Sequence, residues 1–473
     1  MNEVSVPASP VRSARTGRDL RILWWTNAVD GVGTQASGIV LPLLVLDLGH
    51  SAATAGAFAS AVAVAGVVLG PVVARPADHG HRRALLIGSA TVAAVAMAGL
   101  TVCLVWWRPP LWAVLGLAFV ERLCAFAHEA AARGALARVA RSDEVTRGAA
   151  GLQAGDQAAL VVGPGLGGAL FEAGRPLPFL ADALSYAATA LGIRALRTPL
   201  DGNGDGHGRK GRGGGGTATG TGAAEDGART TAETVGGGRT GSKTAGGNKP
   251  GTRTAGEDEP RTKTAGQLGA EARAGLGAGF RAVVRSPLLR VVLAWASAAS
   301  VVVTLLSYTA LFVLDGGGAT VGLVLSASGA AGLAGALLAP VLVARLGARR
   351  SVVLATWLSL VPAGLLVTAD GAGGYAAGFA LLALLLPTVT VVLSAAMVRA
   401  VPRSLQSQAG AAVGATAALV AAGCPALAAG LLAWWGPHAP AALCLALLAL
   451  LAGYTQARVG RLVGGAQGGG GHE

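Results

Sequence analysis

Twelve apolar runs, each long enough to cross a bilayer as a helix, divide this chain and leave almost no room for any other architecture. They lie near residues 22–46, 53–75, 84–107, 110–132, 147–172 and 177–197, then near 288–314, 319–344, 350–370, 373–398, 406–432 and 437–457. A hydrocarbon core about 30 Å thick needs roughly 20 apolar residues as helix. Only 13% of the residues are charged, about half of what a soluble surface requires. The charges gather in the first twenty residues, in short loops and in one central stretch. That pattern excludes a large soluble core and predicts an all-α membrane protein.

The net charge of +13 raises the question of a nucleic-acid partner. All four lysines (Lys210, Lys243, Lys249 and Lys263) lie in the central stretch, however, and the arginines line loops between apolar runs. No basic face interleaved with aromatics is present, so nucleic acid is not an expected partner. Topology explains the basic excess. Positive loops stay on the cytoplasmic side. One set of loops holds Arg12, Arg15, Arg18 and Arg21, then Arg75, Arg82 and Arg83, then Arg138, Arg141 and Arg147. The same side later holds Arg345, Arg349, Arg350, Arg399, Arg403, Arg458 and Arg461, against only Arg108 and Arg175 opposite. Every second loop is basic, so both termini are expected in the cytoplasm of a multi-pass protein of the cell (inner or plasma) membrane. Trp24 and Trp25 fall at the inner interface; Trp106, Trp107, Trp112, Trp434 and Trp435 fall at the outer one. The Arg-rich amino terminus leads into a full-length span rather than a cleavable signal, so that span is expected to remain as the first helix.

Cys103, Cys124, Cys424 and Cys444 all fall inside apolar runs, without metal-ligand spacing, and read as free thiols. No metal cluster, cofactor motif or catalytic constellation is present, and no phosphate-binding loop that would drive a pump with ATP. No cofactor and no enzymatic activity are expected.

The expected organisation is a cytoplasmic tail over 1–21, a six-helix bundle over 22–198, a disordered cytoplasmic linker over 199–270, an interfacial helix over 271–287, a second six-helix bundle over 288–458 and a cytoplasmic tail over 459–473. The linker is Gly, Thr, Ala and charge, too poor in large apolar side chains to offset the entropy of ordering. It carries a drifting ten-residue repeat, Lys243-Thr-Ala-Gly, Arg253-Thr-Ala-Gly and Lys263-Thr-Ala-Gly, which reads as a solvated tether. In the interfacial helix, Phe280 and Val284 are expected to face the membrane, and Arg281 and Arg285 water.

The halves resemble each other. Pro71 to Arg83 reads PVVARPADHGHRR and Pro340 to Arg350 reads PVLVARLGARR. Gly163-Pro164 in the fifth run is matched by Cys424-Pro425 in the eleventh. Parallel six-helix repeats are how many transporters place one site between two rocking bundles.

At these residues the chain resembles the major facilitator superfamily, and most of all its drug:proton antiporter branch with the macrolide-efflux and enterobactin-exporter proteins. Ala77-Asp78-His79-Gly80-His81-Arg82-Arg83 is similar to that family's G-x-L-A-D-R-x-G-R-R loop, with Ala74, His79 and His81 departing from it. Gly163 to Gly168, GPGLGG, resembles the antiporter element of span five, carried by Gly163, Pro164, Gly167 and Gly168. Asp182-Ala-Leu-Ser-Tyr186 resembles the opening of span six in this branch. The resemblance implies two six-helix bundles and proton-coupled efflux of amphipathic small molecules by alternating access. It also implies a gating role for Asp78, Arg82 and Arg83, although Arg82 and Arg83 also serve as topology determinants. The glycines of GPGLGG serve close packing under either reading.

An ionisable side chain at bilayer depth costs about 2.5–3.5 kcal/mol on insertion scales. At about 1.5 Å per residue, Asp30 lies roughly 13 Å from the inner end of span one, and Asp156 roughly 14 Å from that of span five. Glu121 and Arg122 lie roughly 17 Å from the outer end of span four by the same rise. All four are expected near the midplane, with Asn27 and Gln153 as further cavity candidates and Gln35 and Gln157 as weaker ones. Burial favours a protonated carboxyl and a nearby guanidinium an ionised one, so changing exposure can load and release a proton. Asp30 and Glu121 are therefore candidate proton carriers, Arg122 their counter-ion, and Asp156 a third carrier or substrate contact. Being sequence neighbours, Glu121 and Arg122 are expected to point about 100° apart and to need different partners. A static ion-pair network is the competing reading. The second half has no ionisable residue at this depth; Trp295, Tyr308 and Trp357 are its candidates for stacking on a substrate. Asp182 is expected too near the outer face to join the set.

The expected partners are a small-molecule substrate (a drug, a macrolide-like product or a siderophore), protons and the lipid bilayer, with the chain acting as a monomer. An uptake permease for another solute is the first alternative. A membrane-embedded sensor or enzyme is the second.

Overall fold

The computed structural model describes residues 10–73, 81–106, 109–139, 145–198, 200, 281, 283–314, 316–401 and 403–462. Fourteen helices of nine residues or more can be followed there. The first six are α1 (Pro10–Asp47), α2 (Ala52–Val73), α3 (Arg82–Trp106), α4 (Leu111–Val139), α5 (Val145–Ala173) and α6 (Leu177–Arg194). Then come α7 (Pro287–Val313), α8 (Gly317–Leu346), α9 (Ala348–Leu358), α10 (Leu360–Thr368), α11 (Gly371–Ala400), α12 (Arg403–Ala422), α13 (Cys424–Trp435) and α14 (Ala439–Leu462).

These helices form twelve rods, because α9–α10 and α12–α13 are single rods interrupted at Ser359 and Gly423. Helices are the form a chain takes in lipid, since each satisfies its own backbone. Ten rods are long and apolar enough to cross a membrane. The other two are α5, which carries Gln153, Asp156 and Gln157, and α6, which carries Asp182. Their polar content sets them apart: Gln153 and Asp156 are exposed, Gln157 is half-buried and Asp182 is fully buried. Exposed Trp25 near the termini and exposed Trp106, Trp112, Trp434 and Trp435 at the other end mark two interfaces.

Two local features differ from what the sequence predicts. Helix α1 is 38 residues long and starts at Pro10, a residue suited to the first turn, so helix extends well ahead of the apolar run. Asp19 ties this extension to the end of the first bundle: its Oδ2 accepts from the Arg197 amide at 3.1 Å, the Thr198 amide at 2.8 Å and the Thr198 hydroxyl at 2.6 Å. Pro164 lies within an unbroken α5, whereas Pro425 opens α13 after the break at Gly423, so the two proline sites of the halves differ locally. Asp78, Phe280, Trp107 and the linker over 199–270, apart from the buried Leu200, lie outside the described residues. Of the interfacial stretch, Val283 is buried while Arg281, Val284 and Arg285 are exposed.

Helices α1–α6 and α7–α14 make the two bundles. The C-terminal bundle has one continuous apolar core around Trp295, Val302, Leu305, Phe379 and Leu382. The N-terminal bundle instead has two clusters. One, with Leu20, Leu23, Leu86 and Ile193, lies toward the termini; the other, with Val40, Leu44, Met97, Leu100 and Phe179, lies toward the opposite end. Polar groups occupy the gap.

The bundles meet along α5–α8 and along α2 with α12–α13. All three cross-bundle hydrogen bonds among the described residues lie at the end away from the termini. The Gly165 amide donates to Ser326 Oγ at 2.8 Å, the Ala319 amide to Glu172 Oε1 at 2.9 Å and the Ala426 amide to Ser60 Oγ at 3.0 Å. Glycine permits this approach. A Cβ on Gly329 would come within 2.8 Å of Leu160 O, and one on Gly168 would strike the Gly318 carbonyl. Pro164 has no N–H to offer the Leu160 carbonyl, and that freed oxygen is the one facing Gly329.

Candidate functional site

The GPGLGG element packs in two directions at once. Gly163 and Gly167 face α1, where a Cβ would come within 2.5 Å of Gln35 Cβ and of Ala36 O respectively. Gly165 and Gly168 face α8 at Ser326 and Gly318. Small residues let backbones approach, and four of them within six positions allow α5 to be squeezed from both sides. Helix α1 is thereby pressed inward. Its Gly33 lies against Asp182 and Ser185 of α6, and its Gly38 against Arg122 of α4.

Around this contact three helices, α1, α4 and α6, pool their polar groups. Arg122 Nε lies 3.0 Å from Glu121 Oε2. Tyr186 donates to Glu121 Oε1 at 2.6 Å, and its hydroxyl lies 3.0 Å from Thr34 Oγ1. Arg122 Nη2 donates to the Thr34 carbonyl at 3.1 Å. The expectation that Glu121 and Arg122 need different partners is therefore corrected: both side chains are long enough to fold back across the 100° between their Cβ directions. Asp182 is also placed differently. It is fully buried, accepts from Ser185 Oγ at 3.3 Å, and has Glu121, Arg122 and Asp30 among its electrostatic neighbours. Distance along α6 from the outer face puts it outside the set, but α1, pinched at Gly33, brings the cluster toward it. Asp30 also has Glu121 and Arg122 for neighbours. Asp30 Oδ1 and Asp182 Oδ2 are buried without a hydrogen-bond partner among the described residues.

Other candidates lie apart. Asp156 accepts from Asn27 Nδ2 at 2.8 Å, an α5–α1 pair at an exposed position outside the buried network. Arg82 and Arg83 open α3, and Arg83 Nη2 donates to the Arg194 carbonyl at 2.8 Å, a cation at the carboxyl end of α6. His128 is buried with Nδ1 3.3 Å from Leu86 O. Trp295 is a core residue whose Nε1 donates to Thr455 Oγ1 at 2.7 Å, and Trp357 lies on the outer face of the C-terminal bundle. Neither is placed to stack in the space between the bundles. Tyr308 is.

A cavity of about 840 Å³ lies between the bundles. It runs from Pro42 and Leu311, toward the closed end, to Gln153 and Val391, toward the termini. Phe58, Phe126 and Phe379 make its wall largely apolar, with Gln35, Gln157 and Tyr308 as polar points. Arg122 is the one charged residue among those lining it. Its side chain is 23% exposed while that of Glu121 is 3% exposed, so the guanidinium bridges cavity and buried acids.

The sequence model of the Major Facilitator Superfamily matches residues 23–319. The chain belongs to this superfamily. Solved structures of superfamily shape cover nearly all of it. A bacterial homologue of the iron transporter ferroportin in an inward-facing state is 15% identical, covering 94% of this chain and 100% of that one with a TM-score of 0.56. The nucleoside transporter NupG is 11% identical, covering 94% and 99% with a TM-score of 0.59. A bacterial homologue of the human lysosomal transporter Spinster, inward-facing and unoccupied, is 12% identical, covering 97% and 96% with a TM-score of 0.57. At such identities the likeness is one of fold. No curated protein matches the chain in sequence. As a superfamily member the chain is a multi-pass membrane transporter of a small-molecule substrate.

Proposed function

We propose that the chain is a proton-coupled exporter of amphipathic small molecules, working as a monomer by alternating access. On this reading both termini are cytoplasmic in the cell membrane, and the cross-bundle contacts of α5–α8 and α2–α13 close the outer end of an inward-facing state. The observation that carries it is the single guanidinium shared between an apolar cavity and a buried acid cluster. A proton on Glu121 neutralises the counter-charge of Arg122. Stripping a buried charge of its partner costs about 3–5 kcal/mol, close to the roughly 5.5 kcal/mol that swings a two-state equilibrium from 1:99 to 99:1. Arg122 then turns to its remaining acceptors, the Thr34 carbonyl, Asp30 and Asp182, which draws α1 against α4 and α6. Asp30 Oδ1 and Asp182 Oδ2 each keep a lone pair that can take the proton onward. The amphipathic character of the substrate follows from the wall, apolar but for Arg122, Tyr308 and a few amides and hydroxyls. Asp78, Arg82 and Arg83 act as the inner gate, and Asp156 with Asn27 lies at the cytoplasmic approach.

The test is efflux of a panel of amphipathic fluorescent dyes from cells lacking their own pumps, with the proton gradient intact and then collapsed by a protonophore. Gradient-dependent efflux that Glu121→Gln and Asp30→Asn abolish supports the reading. Gradient-dependent accumulation instead of efflux would favour an uptake permease.

A further inference from the structure

A second recess lies on the outside of the C-terminal bundle, and the transport reading leaves it unused. Gly347 alone joins α8 to α9, with φ +79 and nothing near its missing side chain. Ser351, fully buried, fixes the first turn of α9 by donating to Gly347 O at 2.9 Å, with Leu342 O at 3.3 Å. This turn sets Arg349 and Arg350 at the mouth of a groove of about 470 Å³ between α9 and α14, lined by Arg349, Arg350, Val353, Leu354, Trp357 and Gln456. Trp357 Nε1 donates to Gln456 Oε1 at 2.9 Å and so ties the two walls together.

We propose that this groove binds one anionic phospholipid, its phosphodiester on Arg349 and Arg350 and an acyl chain along Leu354 and Trp357. Charge is the first argument. Both arginines are exposed and have no hydrogen bond or ion pair to any described residue. Asp370 is the one acid among the described residues of this bundle, and it lies at the opposite end between α10 and α11, whereas Arg345 and Arg458 add to the positive end. Two cations in a first helical turn also oppose the helix dipole, so helix stability does not account for them. Planar guanidinium groups suit a phosphodiester, which can take two parallel hydrogen bonds from each.

The apolar wall selects a lipid over a free anion. Arg350, Leu354, Trp357 and Val361 recur every three or four residues, placing them on one face of the rod. Leu354 is 50% exposed, Trp357 47% and Val361 63%, so an apolar stripe descends from the arginine pair into the bilayer. Inorganic phosphate would touch only the upper part of such a groove. A phosphatidylcholine would fill it while leaving the excess charge unmatched, because its choline cancels its phosphate.

The experiment is native mass spectrometry of the full chain in detergent, titrated with phosphatidylglycerol, with phosphatidylcholine of the same acyl chains, and with glycerol phosphate. The expected result is one bound phosphatidylglycerol at concentrations at which the other two bind at least tenfold less. The double variant Arg349→Gln/Arg350→Gln should lower that binding about tenfold. Leu354→Asp, which keeps both arginines but puts a carboxylate in the groove, should do the same. Each variant is to be compared at a monodisperse elution position matching the parent. Equal binding of phosphatidylcholine, equal binding of glycerol phosphate, or undiminished phosphatidylglycerol in both variants would overturn the proposal.

Discussion

Tyr186 reaches across from α6 to donate a 2.6 Å hydrogen bond to Glu121 on α4, while the other oxygen of that carboxylate holds Arg122 at 3.0 Å. One acid thus joins a neutral donor on the protein side to a charged donor on the cavity side. A hydrogen bond to a charged group contributes about 1.5–3 kcal/mol, so removing the tyrosine hydroxyl should alter how readily Glu121 exchanges its proton while leaving the ion pair in place. Tyr186→Phe is expected to slow dye export about tenfold and to displace its pH profile along the pH axis. Unchanged export with an unchanged profile would make the contact merely structural.

The ion pair predicts an asymmetry in stability. Glu121→Ala removes the nearest counter-charge of Arg122 and should destabilise, read as a lower unfolding midpoint in detergent. The loss should be less than the roughly 3–5 kcal/mol of a fully buried uncompensated charge, because the guanidinium is 23% exposed and keeps Asp30 and Asp182 nearby. Glu121→Gln/Arg122→Gln removes both charges and should recover most of that loss. A double variant as unstable as the single one would show that packing, not charge, dominates there.

Glycines at the α5–α8 contact hold the bundles together at one end. Gly168→Leu places a side chain against the Gly318 carbonyl and should part the bundles there. With the four native cysteines replaced by alanine and Gln35→Cys as the reporter, an impermeant maleimide added from outside should label the cavity at least five times faster in the variant. Equal labelling would argue against closure at that end.

Trp295 separates packing from coupling. It is buried against the C-terminal core and bonded to Thr455, so Trp295→Ala should cost about 3–5 kcal/mol of stability and lower the amount of protein in the membrane. Export per molecule should keep its pH profile. A displaced profile would bring this residue into the coupling machinery.

The large-scale fold was readable because the bilayer imposes a length and lipid enforces helix; apolar runs and arginine-bearing loops carry that information locally. Glu121, Arg122 and Asp30 were legible because each is expensive at bilayer depth. What escaped was tertiary. Counting residues along single helices placed Asp182 outside the cluster and Asp156 within it. In three dimensions the glycines of α1 and α5 decide the matter, with Gly33 admitting Asp182 and Ser185 to the network. Glycine spacing was the available signal: Gly163 and Gly167 differ in direction from Gly165 and Gly168. In the sequence Tyr186 stands out only within a family phrase, because a buried hydroxyl declares its partner only once the helices are packed. Trp357, an aromatic in an apolar run, gave no hint whether it faced cavity or lipid.

The coupling claim is tested most directly in sealed proteoliposomes holding a pH-sensitive dye, with an amphipathic substrate added on one side and no imposed gradient. The account predicts proton movement against substrate in the parent protein and none in Glu121→Gln or Asp30→Asn, with substrate still bound in both. Proton movement that persists in those two variants, or substrate transport without any proton movement in the parent, would contradict it.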